Sequence, residues 1–214
     1  MMRFFNRVGT NVLLSGDAGT NWSSIYTTIN SANLILKHTP EISFTNEATR
    51  NEVMANAYFL RAYCYFTLVR VFGDCPLLTS GFESEKQEDM YPSRTAASEV
   101  YAQVETDIEE ALRLMPASSK LLHKASPAAI NMLRTEYYLW KAKRLGGGNA
   151  ALSTAQSSVD AVLKAGYALL PTFADIFNLN NEANSELIWT LPYIVNENVT
   201  PGTSPNFFRL LSGT

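Results

Sequence analysis

Cysteine is scarce in this chain, at 2 of 214 residues, and so are glycine, at 11, and histidine, at 2. Two cysteines cannot staple a chain of this length, so a disulfide framework is excluded. The glycine count excludes a collagen-like repeat. His38 and His123 are the only histidines, and neither accompanies a Gly-x-Ser-x-Gly turn, so Ser-His-Asp catalysis has no support. Neither C-x-x-C nor H-E-x-x-H occurs, so no metal spacing is present. Gly146-Gly147-Gly148 lacks the Lys-Ser/Thr of a phosphate loop and reads as a helix stop. No cofactor is expected. No apolar run approaches the roughly 18 residues that mark a membrane span. Near the start, Val12, Leu13 and Leu14 are too few for the apolar stretch of about 7–15 residues in a signal peptide. Positive charge is sparse too. The net charge is −3, and Lys141, Lys143 and Arg144 form the densest basic run. Nucleic acid is therefore not an expected partner, because phosphate binding needs clustered Lys and Arg.

What is present is an ordinary globular composition, 46% hydrophobic and 17% charged. Helical periodicity dominates. A first helix is predicted over residues 21–38, with Asn21 as N-cap and Trp22, Ile25, Tyr26, Ile29, Ala32, Asn33 and Leu36 on its stripe. A second, over 46–72, is apolar nearly all round, which marks the central helix. Leu60 is read as one of its core residues. Further helices are predicted over 95–115, 127–145 and 150–164. Ser126-Pro127 supplies an N-cap and a first-turn proline for the fourth, and Gly166 ends the fifth. Beyond Gly166, residues 167–170 and 186–193 read as extended, around a polar turn at 178–184. Cys64 lies mid-helix and Cys75 just past the helix end, at a rise of 1.5 Å per residue too far apart for a bridge unless the chain folds straight back. Both read as buried free thiols.

Helices two and four superpose at an offset of 73 residues, which aligns Leu60-Arg61 with Leu133-Arg134, Tyr65 with Tyr138 and Gly73 with Gly146. Helices three and five correspond at an offset of 50. Antiparallel helix pairs repeating in this way are the pattern of tetratricopeptide arrays. The expected fold is all-α dominated with tetratricopeptide-like repeats. We expect an irregular segment over 1–20, a helical-repeat region over 21–166, and the start of a second part over 167–214.

Several segments resemble one family. Trp22-Ser-Ser-Ile-Tyr26 with Ile29, Ala32 and Asn33 is similar to its "W-x-x-L-Y-x-x-I-x-x-A-N" helix. The run from Ala57 through Leu60-Arg61-Ala62, Tyr65-Phe66 and Leu68-Val69-Arg70 to Phe72-Gly73-Asp74-Cys75-Pro76-Leu77 is similar to its most distinctive stretch. Tyr91-Pro92-Ser93-Arg94 followed by Val100-Tyr101, and Phe173…Phe177-Asn178 with Glu186-Leu187-Ile188-Trp189, continue the match. The family is SusD/RagB, outer-membrane lipoproteins of Bacteroidetes. The resemblance implies a non-catalytic, helical-repeat protein that binds an oligosaccharide or other nutrient at the cell surface. It implies a SusC-like TonB-dependent transporter as partner. It also leads us to expect a longer parent, with a signal peptide, a lipidated cysteine and a C-terminal half that supplies much of the ligand site. A scaffold that binds only a protein partner is the alternative; an enzyme ranks last.

Within this chain the long connection 74–93 is the expected functional segment, since loops of this length in compact domains usually carry function. Tyr91 is the candidate for stacking on a sugar face, against the plainer reading that it packs the loop onto helix three. Arg61 and Arg70 lie in an apolar helix, where a guanidinium is costly unless paired, so both are read as ion-paired or hydrogen-bonded. Asn33 is read as a buried hydrogen-bonding residue and Trp22 as core.

Overall fold

The computed structural model describes residues 21–84, 92–119, 122–181 and 183–191. The expectation for residues 1–20, the end of the extended stretch at 192–193 and the remainder of 192–214 lie outside them. Five long helices follow in chain order: α1 (Ser23–His38), α2 (Glu47–Phe72), α3 (Ala97–Leu114), α4 (Pro127–Arg144) and α5 (Gly148–Lys164). A four-residue helix, α6 (Phe173–Ile176), comes later, and 3-10 turns occupy Thr39–Glu41 and Leu179–Asn181. Among the described residues there is no strand; a single antiparallel bridge joins Cys75 to Thr95.

Consecutive helices run antiparallel. Trp22 meets Phe72 and Asn33 meets Arg61, so α1 descends as α2 rises. Arg61 meets Asp107 on α3, Glu109 meets Arg134 on α4, and Arg134 meets Ser158 on α5. The helix α2 contacts α1, α3 and α4. Its apolar residues therefore find neighbours in several directions, and Tyr65, Phe66 and Leu68 are fully buried. Val100, Val104 and Ile108 of α3 and Ile130 of α4 close the core from the other side. Each such side chain contributes about 1.5–3 kcal/mol relative to exposure. The stripes on α1, α3, α4 and α5 each cover one face only, as on helices with one solvated side.

Local end signals account for most boundaries. The Ser126 hydroxyl accepts from Ala129 N–H at 3.2 Å, and Pro127 occupies the first turn of α4. The Asn46 side chain caps α2 by accepting from Ala48 N–H at 2.8 Å, so that helix starts at Glu47. Gly73 and Gly146 end α2 and α4 at equivalent repeat positions, with φ of 68° and 75°.

Some expectations need correction. Asn21 is not the N-cap of α1; its side chain accepts from Ser23 N–H one position upstream of the cap, Trp22. The third helix is shorter than 95–115, because Thr95 N–H is engaged by Cys75 C=O and Met115 is extended ahead of Pro116. The fifth begins at Gly148 rather than 150. Leu60 packs against the core but is only half-buried; Phe59 beside it is the buried residue. Residues 167–170 and 186–191 form no sheet. They are held by isolated bonds, Ala168 N–H to Ser185 C=O and Thr190 N–H to Leu122 C=O. Cys64 and Cys75 are free and buried, as read, and burial pushes the Cys64 thiol pKa up to about 11.

Candidate functional site

The connection after α2 is strapped across α1. Four residues on one face of α1, at i, i+4, i+7 and i+11, hold it. Tyr26 OH donates to Pro76 C=O at 2.6 Å. Asn30 donates to Phe82 C=O at 3.0 Å and accepts from Phe82 N–H at 2.7 Å, satisfying both backbone groups of that residue. The Asn33 amide donates to Leu78 C=O at 2.9 Å and Ser80 C=O at 3.1 Å. Lys37 pairs with Glu83 at 3.1 Å. From α2, Tyr65 OH both donates to Leu78 C=O and accepts from Leu78 N–H. Side chains thus replace the partners that a sheet would give this extended segment. The approach is close enough that a Cβ on Gly81 would stand 2.9 Å from the Leu34 backbone nitrogen. Only glycine fits there.

A buried ion pair underlies this clamp. Arg61 forks onto Asp107, Nε to Oδ2 at 2.8 Å and Nη2 to Oδ1 at 2.6 Å, with side chains 6% and 0% exposed. The remaining terminal nitrogen, Nη1, donates to Asn33 Oδ1 at 2.8 Å, and Gln103 also donates to Asp107. Burial works against the Arg61 charge, but the Asp107 carboxylate more than offsets it and raises the guanidinium pKa. Arg70 is paired with Glu136 and lies over the Phe66 ring. Arg61, Arg70 and Asn33 therefore take the structural roles expected of them. The repeat extends to the polar contacts: Arg134, equivalent to Arg61, also bridges two helices, donating to Glu109 on α3 and Ser158 on α5.

The strapped segment and α1 enclose a groove of about 720 Å³, walled by Trp22, Tyr26, Leu78, Phe82 and Pro92 and edged by Asn30 and Glu83. Trp22 packs on the core as expected, edge-on against Phe72 and Tyr26, and its remaining surface faces the groove. At one end Arg94 stacks over the Trp22 ring at 4.9 Å and donates to Asp74 C=O. Asp74 in turn accepts from Ala97 N–H, a free donor of the first turn of α3. At the other end Glu83 is pinned by Lys37 and His38, which hold its carboxyl below the usual range. Glu83 and Glu41 raise the His38 pKa above its ordinary 6.5.

Tyr91, the sequence candidate, lies outside the described residues. Ser84 and Pro92, on either side of that gap, both line the groove. Sequence reasoning missed Tyr26, Asn30 and Phe82. The signal for the first two was the row of polar side chains at helical spacing on α1. A second, more apolar hollow of about 450 Å³ lies between α2 and α4, where Trp189 packs edge-on against Phe59 and Tyr63. No cluster of His, Cys, Asp or Glu able to hold a metal occurs among the described residues.

Residues 6–139 match the SusD-like family described as "Starch-binding associating with outer membrane". The chain belongs to this SusD-like family. A SusD-like protein of Formosa agariphila is 28% identical over 179 residues, covering 80% of this chain and 31% of the relative. Among solved structures, B. fragilis NanU superposes with a TM-score of 0.82 at 29% identity, covering 91% of this chain and 39% of that one. A laminarin-binding SusD-like protein superposes with a TM-score of 0.68 at 25% identity, covering 82% and 41%. The chain thus spans about a third of the length of the curated SusD-like relatives it matches.

Proposed function

We propose that this chain is the helical-repeat part of a non-catalytic glycan-binding protein and that the groove between α1 and the 74–84 segment contributes to its ligand site. The observation that carries the reading is the lining of that groove. Aromatic and proline surfaces (Trp22, Tyr26, Phe82, Pro92) form its walls, and Asn30, Thr27 and Glu83 lie at its edges. Pyranose rings have apolar faces that pack on such surfaces and a rim of hydroxyls that need polar partners. Family membership supports a glycan as the ligand, and the laminarin-binding relative supports a glucan among the first probes.

The wider setting belongs to the same proposal. The protein works at the outer-membrane surface, consistent with the family's description, with a SusC-like TonB-dependent transporter as partner. Residues 167–214 begin a second part of the fold. Calorimetry with maltoheptaose and laminarihexaose tests the groove. Binding by the chain, weakened about tenfold or more by Trp22→Ala, is the expected result, from loss of one stacking surface. Binding that Trp22→Ala leaves unchanged removes the groove from the site. The alternative scaffold reading gains if neither glycan binds.

A further inference from the structure

The groove wall is hung from a buried charge that never touches the groove. Arg61 and Asp107 do not line it, and Asn33 lies beneath the strapped segment, 2% exposed. The three residues nevertheless form one chain of bonds, from Asp107 on α3 through Arg61 on α2 to Asn33 on α1, and from the Asn33 amide to the carbonyls of Leu78 and Ser80. Leu78 is itself a wall residue. We propose that Asn33 is a positioning residue for the ligand groove, oriented by the Arg61–Asp107 pair so that its two amide protons fix the 78–80 backbone. This deepens the glycan-binding reading and rests on it for the ligand, though not for the backbone geometry.

Donors and acceptors decide the orientation. A side-chain amide has one oxygen and one NH2 group, and a half-turn of its plane exchanges them. Arg61 has only donors to offer, so its nearby Nη1 fixes the Asn33 oxygen towards α2. The NH2 must then face the segment, where two carbonyls converge within 3.1 Å. Asp107 holds the guanidinium plane by its bidentate grip, which a lysine could not reproduce. Three helices therefore fix the 78–80 backbone through its carbonyls.

Asn33→Asp separates this role from ordinary core packing. It keeps the shape and still accepts from Arg61, but as a carboxylate it has no proton for Leu78 or Ser80. Hydrogen exchange of the peptide spanning 76–82 in the full 214-residue chain is the primary measurement. Exchange about tenfold faster or more than in the unaltered chain is expected, the scale of a lost buried hydrogen bond, with exchange in α4 and α5 unchanged. Affinity for the glycan that the groove binds should fall together with it. Unchanged exchange over 76–82 in the folded variant overturns the inference. If Asn33→Asp does not fold, Arg61→Lys keeps the charge beside Asp107 but not the fork, and the same two outcomes apply. Failure of both maltoheptaose and laminarihexaose to bind the unaltered chain would count against the glycan reading alone, because the exchange measurement needs no ligand.

Discussion

Asp107→Ala is the perturbation with the largest worked consequence. Asp107 is fully buried and is the only carboxylate bonded to Arg61 among the described residues. Removing it leaves a guanidinium without its counter-charge, in a helix whose neighbours are Ala62, Tyr65 and the α3 stripe. Breaking a buried pair from one side costs about 3–5 kcal/mol. Set against a total stability of about 5–15 kcal/mol, that is about a fifth of it or more. At about 2–4 °C per kcal/mol for a chain of this size, the melting temperature should fall by roughly 6–20 °C. The paired replacement Arg61→Met with Asp107→Leu removes both charges. Such replacements are often neutral or stabilising by about 1–4 kcal/mol. In this fold Asn33 Oδ1 loses its donor, which costs about 1–3 kcal/mol. The double variant should therefore fall between a gain and a loss of about 3 kcal/mol and be more stable than the single one. Urea denaturation of the three chains measures both quantities. A loss below about 1 kcal/mol in Asp107→Ala, or a double variant no more stable than the single, refutes the reasoning.

Two further outcomes are expected. Leu68→Ala, at a fully buried position, should cost about 2–5 kcal/mol in urea denaturation, and Leu60→Ala, half-buried one helical face away, distinctly less; equal losses would mean that α2 is rotated about its axis and turns Leu60 into the core. The His38–Glu83 contact should make the attachment of the loop rim depend on pH in two directions. The raised His38 pKa gives a contribution fully present below pH 6.5 and lost as pH rises through the raised value. The lowered Glu83 pKa gives one present above pH 4.5 and lost as pH falls through the lowered value. The rim is thus held best between the two. An NMR titration of His38 should show a midpoint above 6.5 that moves down in Glu83→Gln, and a midpoint that stays put would remove Glu83 as its partner.

Helix positions were legible because each helix carries its own period and end signals. Ser126-Pro127 and the two glycines Gly73 and Gly146 act within a few residues, so a local reading finds them. The central place of α2 followed from its apolar circumference. Reading Arg61 as paired required only the cost of burying a guanidinium, but its partner could not be chosen. Asp107 lies one helical turn from Val104 on the apolar stripe of α3, and that polar intruder was the available clue. Leu60 was misjudged because apolar character all round a helix does not say which residues meet a neighbour. The groove was the least legible feature. Its walls come from α1 and from a connection that passes over it, and only the register of Tyr26, Asn30, Asn33 and Lys37 on one face of α1 foreshadowed the contact.

The two repeats explain why the groove lies where it does. In the second repeat α4 passes to α5 through residues 145–147, and Arg134 bridges Glu109 and Ser158 with no loop to support. In the first, residues 73–96 separate α2 from α3, and the equivalent Arg61 bridges Asn33 and Asp107. A helix-bridging arginine is therefore a property of the repeat itself, and holding helices together needs only a carboxylate or hydroxyl on each side. What is particular to the first repeat is the amide on α1. An amide can accept from the arginine and still donate outward, whereas Glu109 in the corresponding place can only accept. The insertion after α2 and the amide at Asn33 thus complement each other: the long connection supplies backbone carbonyls, and Asn33 supplies the protons that fix them. A repeat scaffold acquires a groove by this combination without any change to its helices, which is why the core reads as generic while the rim at Trp22, Phe82 and Glu83 carries the individual chemistry.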